Sequence, residues 1–373
     1  MMVKFLKNNW LYIILLSLII AINVLPRAGE KQEKPAGSAL LSGEKQAAKK
    51  KGQEGLFVNF KDAQDKSARI ESALMEKPAL YLFYISVNLL IAFIFLLGLI
   101  IDGYFLLNKF KKKKVLEKTT ENNPPAWGID EVFKIIILAI AFSYIFFIVS
   151  AFAVNMTETL YKIDLDFFAS RDFRMIFDTI VLDLFVFFVI ILFLAKRHGR
   201  KLSSVGLSQK NLLKNIFYGS CGYLGVVPLI SLIGVLVYII LNMLNLKPEP
   251  QPIVGFFLAE KNAALIFISS LIAAFFGPII EEIFFRGVMY NAIKRKLGVF
   301  WGIMITSVLF SFLHVHAATY FLVGFIPIAI LGAVLAYLYE KTQSLIPSIT
   351  LHVLNNVGSV FMVFLFRYFN SVI

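Results

Sequence analysis

Apolar residues run along this chain in long blocks, with polar and charged residues gathered between them. The blocks show neither the alternation of a strand nor the one-sided stripe of a soluble helix. Each is close to the ~20 residues that an α-helix needs to cross a bilayer. The pattern predicts spans at Leu11–Leu25, Leu80–Leu107, Val132–Val154, Met175–Ala195, Ile216–Leu244, Ala263–Ile293, Val299–His314, Tyr320–Tyr339 and Leu345–Phe366. The expected fold is therefore an all-α, polytopic transmembrane helix bundle of about nine spans, including an N-terminal signal anchor. No ten-residue alternating segments of a transmembrane barrel occur, which leaves helices to satisfy the backbone in lipid. No internal repeat is evident.

The same pattern divides the chain. Residues 1–26 read as an anchor helix, preceded by Lys4 and Lys7 and followed by no A-x-A-like cleavage site. Residues 27–77 are rich in Lys, Glu, Gln, Gly and Ala and read as a polar, largely disordered extracytoplasmic loop, with a short helix near 61–76. A second span at 78–108 and a basic cytoplasmic linker at 109–128 follow. Residues 129–244 hold three transmembrane helices, and 245–373 hold a core of four helices.

Composition sharpens this picture. The 373 residues are 58% hydrophobic, against about 45–50% in soluble domains. The net charge of +13 collects in KFKKKK (109–114), KRHGRK (196–201) and KRK (294–296), each abutting an apolar block. That is the positive-inside pattern, not a nucleic-acid surface. It places these turns and the N-terminus in the cytoplasm and the C-terminus outside a cell membrane. The partners implied are the lipid bilayer and no nucleic acid. The single cysteine, Cys221, rules out an internal disulfide and reads as a small buried apolar residue.

Against this background GPIIEEIFFRGVMY, residues 277–290, is anomalous. Each ionisable group near a bilayer centre costs about 2.5–3.5 kcal/mol on insertion scales. Glu282 and Arg286 are four apart, so they share a helix face and can pair. Glu281 points about 100° away and keeps no cation of its own, poised to take a proton from water. Spans six and seven are joined by a tight turn around KRKLG. Glu281 and Glu282 lie about sixteen residues before its centre and His314 about sixteen after, so both reach roughly 24 Å along their helices and can meet. In the last span His352 and Asn356 share a face. Counted from Ser344, however, His352 is only ~12 Å in, which leaves a gap in depth. Pro347 suits that helix's first turn. His198 reads as solvated in a basic loop, and His316 as a bystander. Asp178 and Asp183, five apart, face different directions and read as contacts to local water or a neighbouring helix. Glu281, Glu282, Arg286, His314, His352 and Asn356 thus offer acid, base and hydrogen-bond donors with no Ser or Cys nucleophile motif. Water is then the nucleophile, activated by a Glu–His pair, with a second His and an Asn donating to an oxyanion.

Three motifs resemble one known family. EEIFFRG matches EExxxR, FSFLH (Phe310–His314) matches FxxxH, and HVLNN (His352–Asn356) matches HxxxN. These are signatures of the CPBP family, the CAAX protease and bacteriocin-processing enzymes or Abi proteins, which includes the type II CAAX prenyl endopeptidases. YEKTQSLIPSITLH is similar to the family's segment before its last motif. The resemblance covers about 250–366, with a fainter echo from GLSQKNLLKN at 206, and leaves residues 1–195 uncovered. It implies a glutamate-dependent intramembrane endopeptidase acting on a peptide or lipidated protein. Glu281 and His314 would activate water, Glu282 and Arg286 would orient the site or substrate, and His352 with Asn356 would form the oxyanion site. It also implies a site open to the cytosol.

Two other readings use the same residues. One adds zinc on Glu281, His314 and His352, although the sequence has no HExxH pair and no cysteine in the cluster. The reading without a cofactor is preferred. The other is a non-catalytic membrane scaffold or transporter, since intramembrane charges also mark ion paths. Corresponding broken helices in two halves are absent. Oligomeric state leaves no signal in the sequence.

Overall fold

The computed structural model describes residues 9–19, 76–120, 124–162, 165–243, 252–315 and 324–372. The chain divides into two units, Met1–Ala68 and Arg69–Ile373. In the first, α1 (Asn9–Ile19) is a short apolar helix. The predicted polar loop lies, up to residue 75, outside the described residues, as do His316 and the predicted start of the eighth span at Tyr320.

The second unit begins with α2 (Pro78–Phe110), α3 (Ile129–Tyr161) and α4 (Arg171–Leu192), which continues into a π-helical turn, Phe193–Arg197. Then come α5 (Leu212–Met243) and α6 (Pro252–Ala259). A long helical stretch follows as α7, residues 263–297, and α8, residues 299–314. The last two are α9 (Ile326–Thr342) and α10 (Leu345–Val372). No strand occurs among the described residues. Among the described residues, six stretches are long and apolar enough to cross a membrane, and the protein is a multi-pass, all-α membrane bundle. One stretch, Ala263–His314, contains both limbs of the α7–α8 pair.

Local chemistry sets several of the ends. Pro78 opens α2, where a missing N–H costs nothing. The Glu131 carboxylate accepts from Gly128 N–H at 2.9 Å at the start of α3. The Asn262 side chain accepts from the N–H groups of Ala264 and Leu265 and starts α7. The sequence pattern misses α6, because its eight apolar residues are far too few to span. It packs Phe256 and Phe257 against Ile176 and Leu265 instead.

Two turns position the site. Between α7 and α8, Gly298 adopts φ 87° and ψ 173°, a conformation that favours glycine. The chain then doubles back, so that Phe285 meets Phe310 edge-to-face at 5.1 Å. Between α9 and α10 the turn is not at the surface. Thr342, Ser344 and Leu345 are buried, roofed by two segments. Thr119 N–H donates to Thr342 O at 2.9 Å, and Leu345 N–H to Gly206 O at 3.0 Å. Gly206 has φ 93°, and a Cβ there would sit 2.9 Å from Gln343 O, so only glycine allows this approach. The faint resemblance near residue 206 thus falls on a segment that packs against the last turn.

That roof closes the gap in depth predicted for His352. A methyl placed on Gly287 would lie 3.8 Å from Leu345 Cδ1, so α10 starts level with Gly287, not with the exposed KRKLG turn. Six residues separate Gly287 from Glu281, and seven separate Leu345 from His352. The two side chains therefore reach the same level.

Candidate active site

Two π-helical stretches, Ile272–Phe276 and Ile283–Tyr290, flank the α-helical segment Gly277–Glu282. Such wide turns free carbonyls from the helix ladder and recur at functional sites. Ala273 O accepts from Asn356 Nδ2 at 2.8 Å. Asn291 Nδ2 donates to Arg286 O at 3.0 Å and Gly287 O at 2.9 Å. Both distortions are thereby tied to polar side chains.

Glu282 and Arg286 are fully buried and joined at 2.8 Å. Arg286 Nη2 also donates to Gly332 O at 3.1 Å, and the guanidinium lies 4.9 Å from the Phe310 ring. His352, 2% exposed, meets Glu282 Oε1 through Nδ1 at 2.9 Å. A carboxylate only accepts, so Nδ1 carries the proton and Nε2 faces the other way. There Nε2 is 3.7 Å from Glu281 Oε2.

Glu281 is unlike its neighbour. It is 33% exposed, and its Oε2 is also 3.9 Å from His314 Nε2. Oε2 makes no hydrogen bond within the described residues. His314 Nδ1 is 2.8 Å from Phe310 O, a carbonyl that can only accept, so Nε2 holds a lone pair toward Glu281. A water at ordinary hydrogen-bond distances of about 2.7–3.0 Å can touch both atoms across such a gap. Phe310 is 1% exposed. Its ring sits 4.5 Å from that of His314 and 5.5 Å from that of His352, so it holds both imidazoles apart. The structure brings together all six residues singled out in the sequence.

A cavity of about 680 Å³ joins this cluster and is lined by Glu281, His314, His352 and Asn356 along with mainly apolar side chains. Asp183, Ser269, Asn355 and Ser359 also line it. The sequence reading assigned none of these four to the site. Asp178 and Asp183 do differ, as their five-residue spacing implies. However, α4 starts one turn earlier than the predicted span, so Arg174 belongs to it and pairs with Asp178 at 3.8 Å. Asp183 has no ion pair or hydrogen bond among the described residues and shares the cavity with Glu281. The legible signal was a carboxylate with no Arg or Lys three or four residues away. His198 is not simply solvated: its Nε2 is 3.2 Å from Glu131 and its ring 4.7 Å from that of Trp127, far from the cluster in sequence and on other elements.

The zinc reading requires Glu281, His314 and His352 as ligands. No group of three or more His, Cys, Asp or Glu among the described residues is arranged to hold an ion.

The cavity reaches well beyond the cluster. It extends from Glu281 toward α6 and the start of α4, the end of the bundle opposite the KRK turn.

Comparison with known proteins bears on the same region. Residues 263–358 match the family described as type II CAAX prenyl endopeptidase Rce1-like, and this segment contains all six clustered residues. A stretch of 101 residues is 32% identical to a Bacillus subtilis (strain 168) protein named "Putative membrane peptidase YdiL". That alignment covers 26% of this chain and 36% of the relative, so the chain spans about a third of the length of the curated protein it matches. No solved structure matches. The segment 263–358 thus carries the features of a membrane-protease family, and α1 to α6 lie outside the match.

Proposed function

We propose that the protein is a glutamate-dependent intramembrane endopeptidase that hydrolyses a peptide bond of a membrane-associated or lipidated peptide in a cell membrane. The observation that carries this reading is Glu281 Oε2, without a hydrogen bond of its own, held 3.9 and 3.7 Å from two imidazole nitrogens at a cavity wall.

Water held between Glu281 and His314 loses its proton to the carboxylate as its oxygen attacks the scissile carbonyl. The resulting oxyanion is met by Asn356 Nδ2 and by His352 Nε2 in its protonated form, with Glu282 on the far side balancing the imidazolium. Glu281 then returns the proton to the leaving nitrogen as the C–N bond breaks. Arg286 fixes Glu282, Glu282 fixes His352, and Phe310 keeps the two imidazoles at their separation. The apolar cavity wall receives the hydrophobic part of the substrate.

Two expected outcomes test this scheme. His314→Ala should cost activity about as much as Glu281→Gln, and the double variant little more, because residues acting as a unit are non-additive. Cleavage rates in that double-mutant cycle decide it, and additive losses would argue against one shared water. Activity should also survive a strong zinc chelator, with no stoichiometric metal on elemental analysis. Loss in chelator and recovery with zinc would favour the metal reading.

A further inference from the structure

The side from which substrate reaches this cavity follows from where the bundle is plugged. On α7 the lining runs from Glu281 through Gly277 to Ser269, away from the KRKLG turn. On α10 it runs from His352 through Ser359 to Val363, away from the roofed start at Leu345. On α4 it takes only the first half, Met175 to Asp183, and α6 completes it.

The opposite half is solid. Ile283, Phe285, Val288 and Tyr290 of α7 pack with Leu194 and Tyr339 into one buried core. The segments around Thr119 and Gly206 cover it, bonded to Thr342 and Leu345. A peptide arriving from that end would have to break this packing and pull its own amide groups through it unpaired, at several kcal/mol each.

All three basic blocks lie on the plugged end. Lys109–Lys114 follows α2, Lys196–Lys201 follows α4, and Lys294–Lys296 precedes the Gly298 reversal. In short loops beside membrane helices, Lys and Arg are retained on the cytoplasmic side. The plugged end is then cytoplasmic and the cavity faces the other way. Polar groups continue along the lining in that direction: beyond His352 come Asn355 and the exposed Ser359, and on α4 the exposed Thr179.

We infer that the cavity opens to the extracytoplasmic side, so that its substrate is an exported or membrane-inserted peptide offering its scissile bond from there, not a tail held in the cytosol. The substrate class rests on the protease reading, whereas the sidedness does not.

The test is single-cysteine labelling of the full-length protein in intact cells. In a Cys221→Ser background, Ser359→Cys reports the cavity and Leu297→Cys the exposed basic turn. A charged, membrane-impermeant thiol reagent is added before or after permeabilisation. Ser359→Cys should label fully in intact cells, and Leu297→Cys only after permeabilisation. Ile253→Cys, on α6, serves as a second cavity position should Ser359→Cys fail to fold. Cavity positions that label only after permeabilisation, or under neither condition, overturn the inference, as does a basic turn that labels from outside. Labelling needs no turnover. A Glu281→Gln variant that still cleaves would sink the protease reading and leave the sidedness standing.

Discussion

Glu281→Gln should abolish hydrolysis while leaving the protein folded and at normal abundance in the membrane. The amide keeps the volume and the polar contacts of the carboxylate but cannot accept the proton of an attacking water. Removing a positioned general base costs about 10²–10⁴-fold in rate. The fold should tolerate the change because Glu281 is partly exposed at the cavity wall and its Oε2 has no hydrogen bond to lose. Comparative proteomics of cells carrying the wild type or the variant reads the first effect, as accumulation of uncleaved precursors. Thermal unfolding in detergent reads the second. Near-normal cleavage by this variant would sink the mechanism, and a large drop in melting temperature would mean that Glu281 is structural.

The largest effect on stability should come from the buried pair beneath it. Arg286→Met should destabilise the protein by about 3–5 kcal/mol, since breaking a buried ion pair from one side leaves the other charge uncompensated. Three contacts go at once: the bond to Glu282, the bond to Gly332 O and the guanidinium against Phe310. Glu282→Gln with Arg286→Met should recover much of that loss, because no buried charge is then stranded. It should not recover activity, since His352 Nδ1 would face an amide in place of the carboxylate that orients it. Unfolding and cleavage measured on the two singles and the double separate these roles. A cost below about 1 kcal/mol for Arg286→Met would be that of an exposed pair and would contradict the burial on which the argument stands.

Much of this site is legible in the sequence because its geometry is local or symmetric about a turn. Glu282 and Arg286 pair because four residues on a helix share a face. Glu281 meets His314 because each lies about sixteen residues from the KRKLG turn, and an antiparallel hairpin keeps such positions level. The long apolar blocks determine a helical membrane bundle, since lipid leaves the backbone few other options. What depends on contacts between distant segments was not legible. The depth of His352 is set by Gly206 and Thr119, more than a hundred residues from the turn they bury, and no count along α10 reveals it. Asp178 has Arg174 one turn before it and Asp183 has no such cation nearby in the sequence, but only the packing around α4 places Asp183 at the cavity. The π-helical turns on either side of Glu281 follow from no composition signal. Nor does the side on which the cavity opens, because a plug and a vestibule can be built from the same apolar residues. Which half of the bundle closes is decided by how neighbouring helices and loops fill the space between them, and that is a property of the tertiary structure alone.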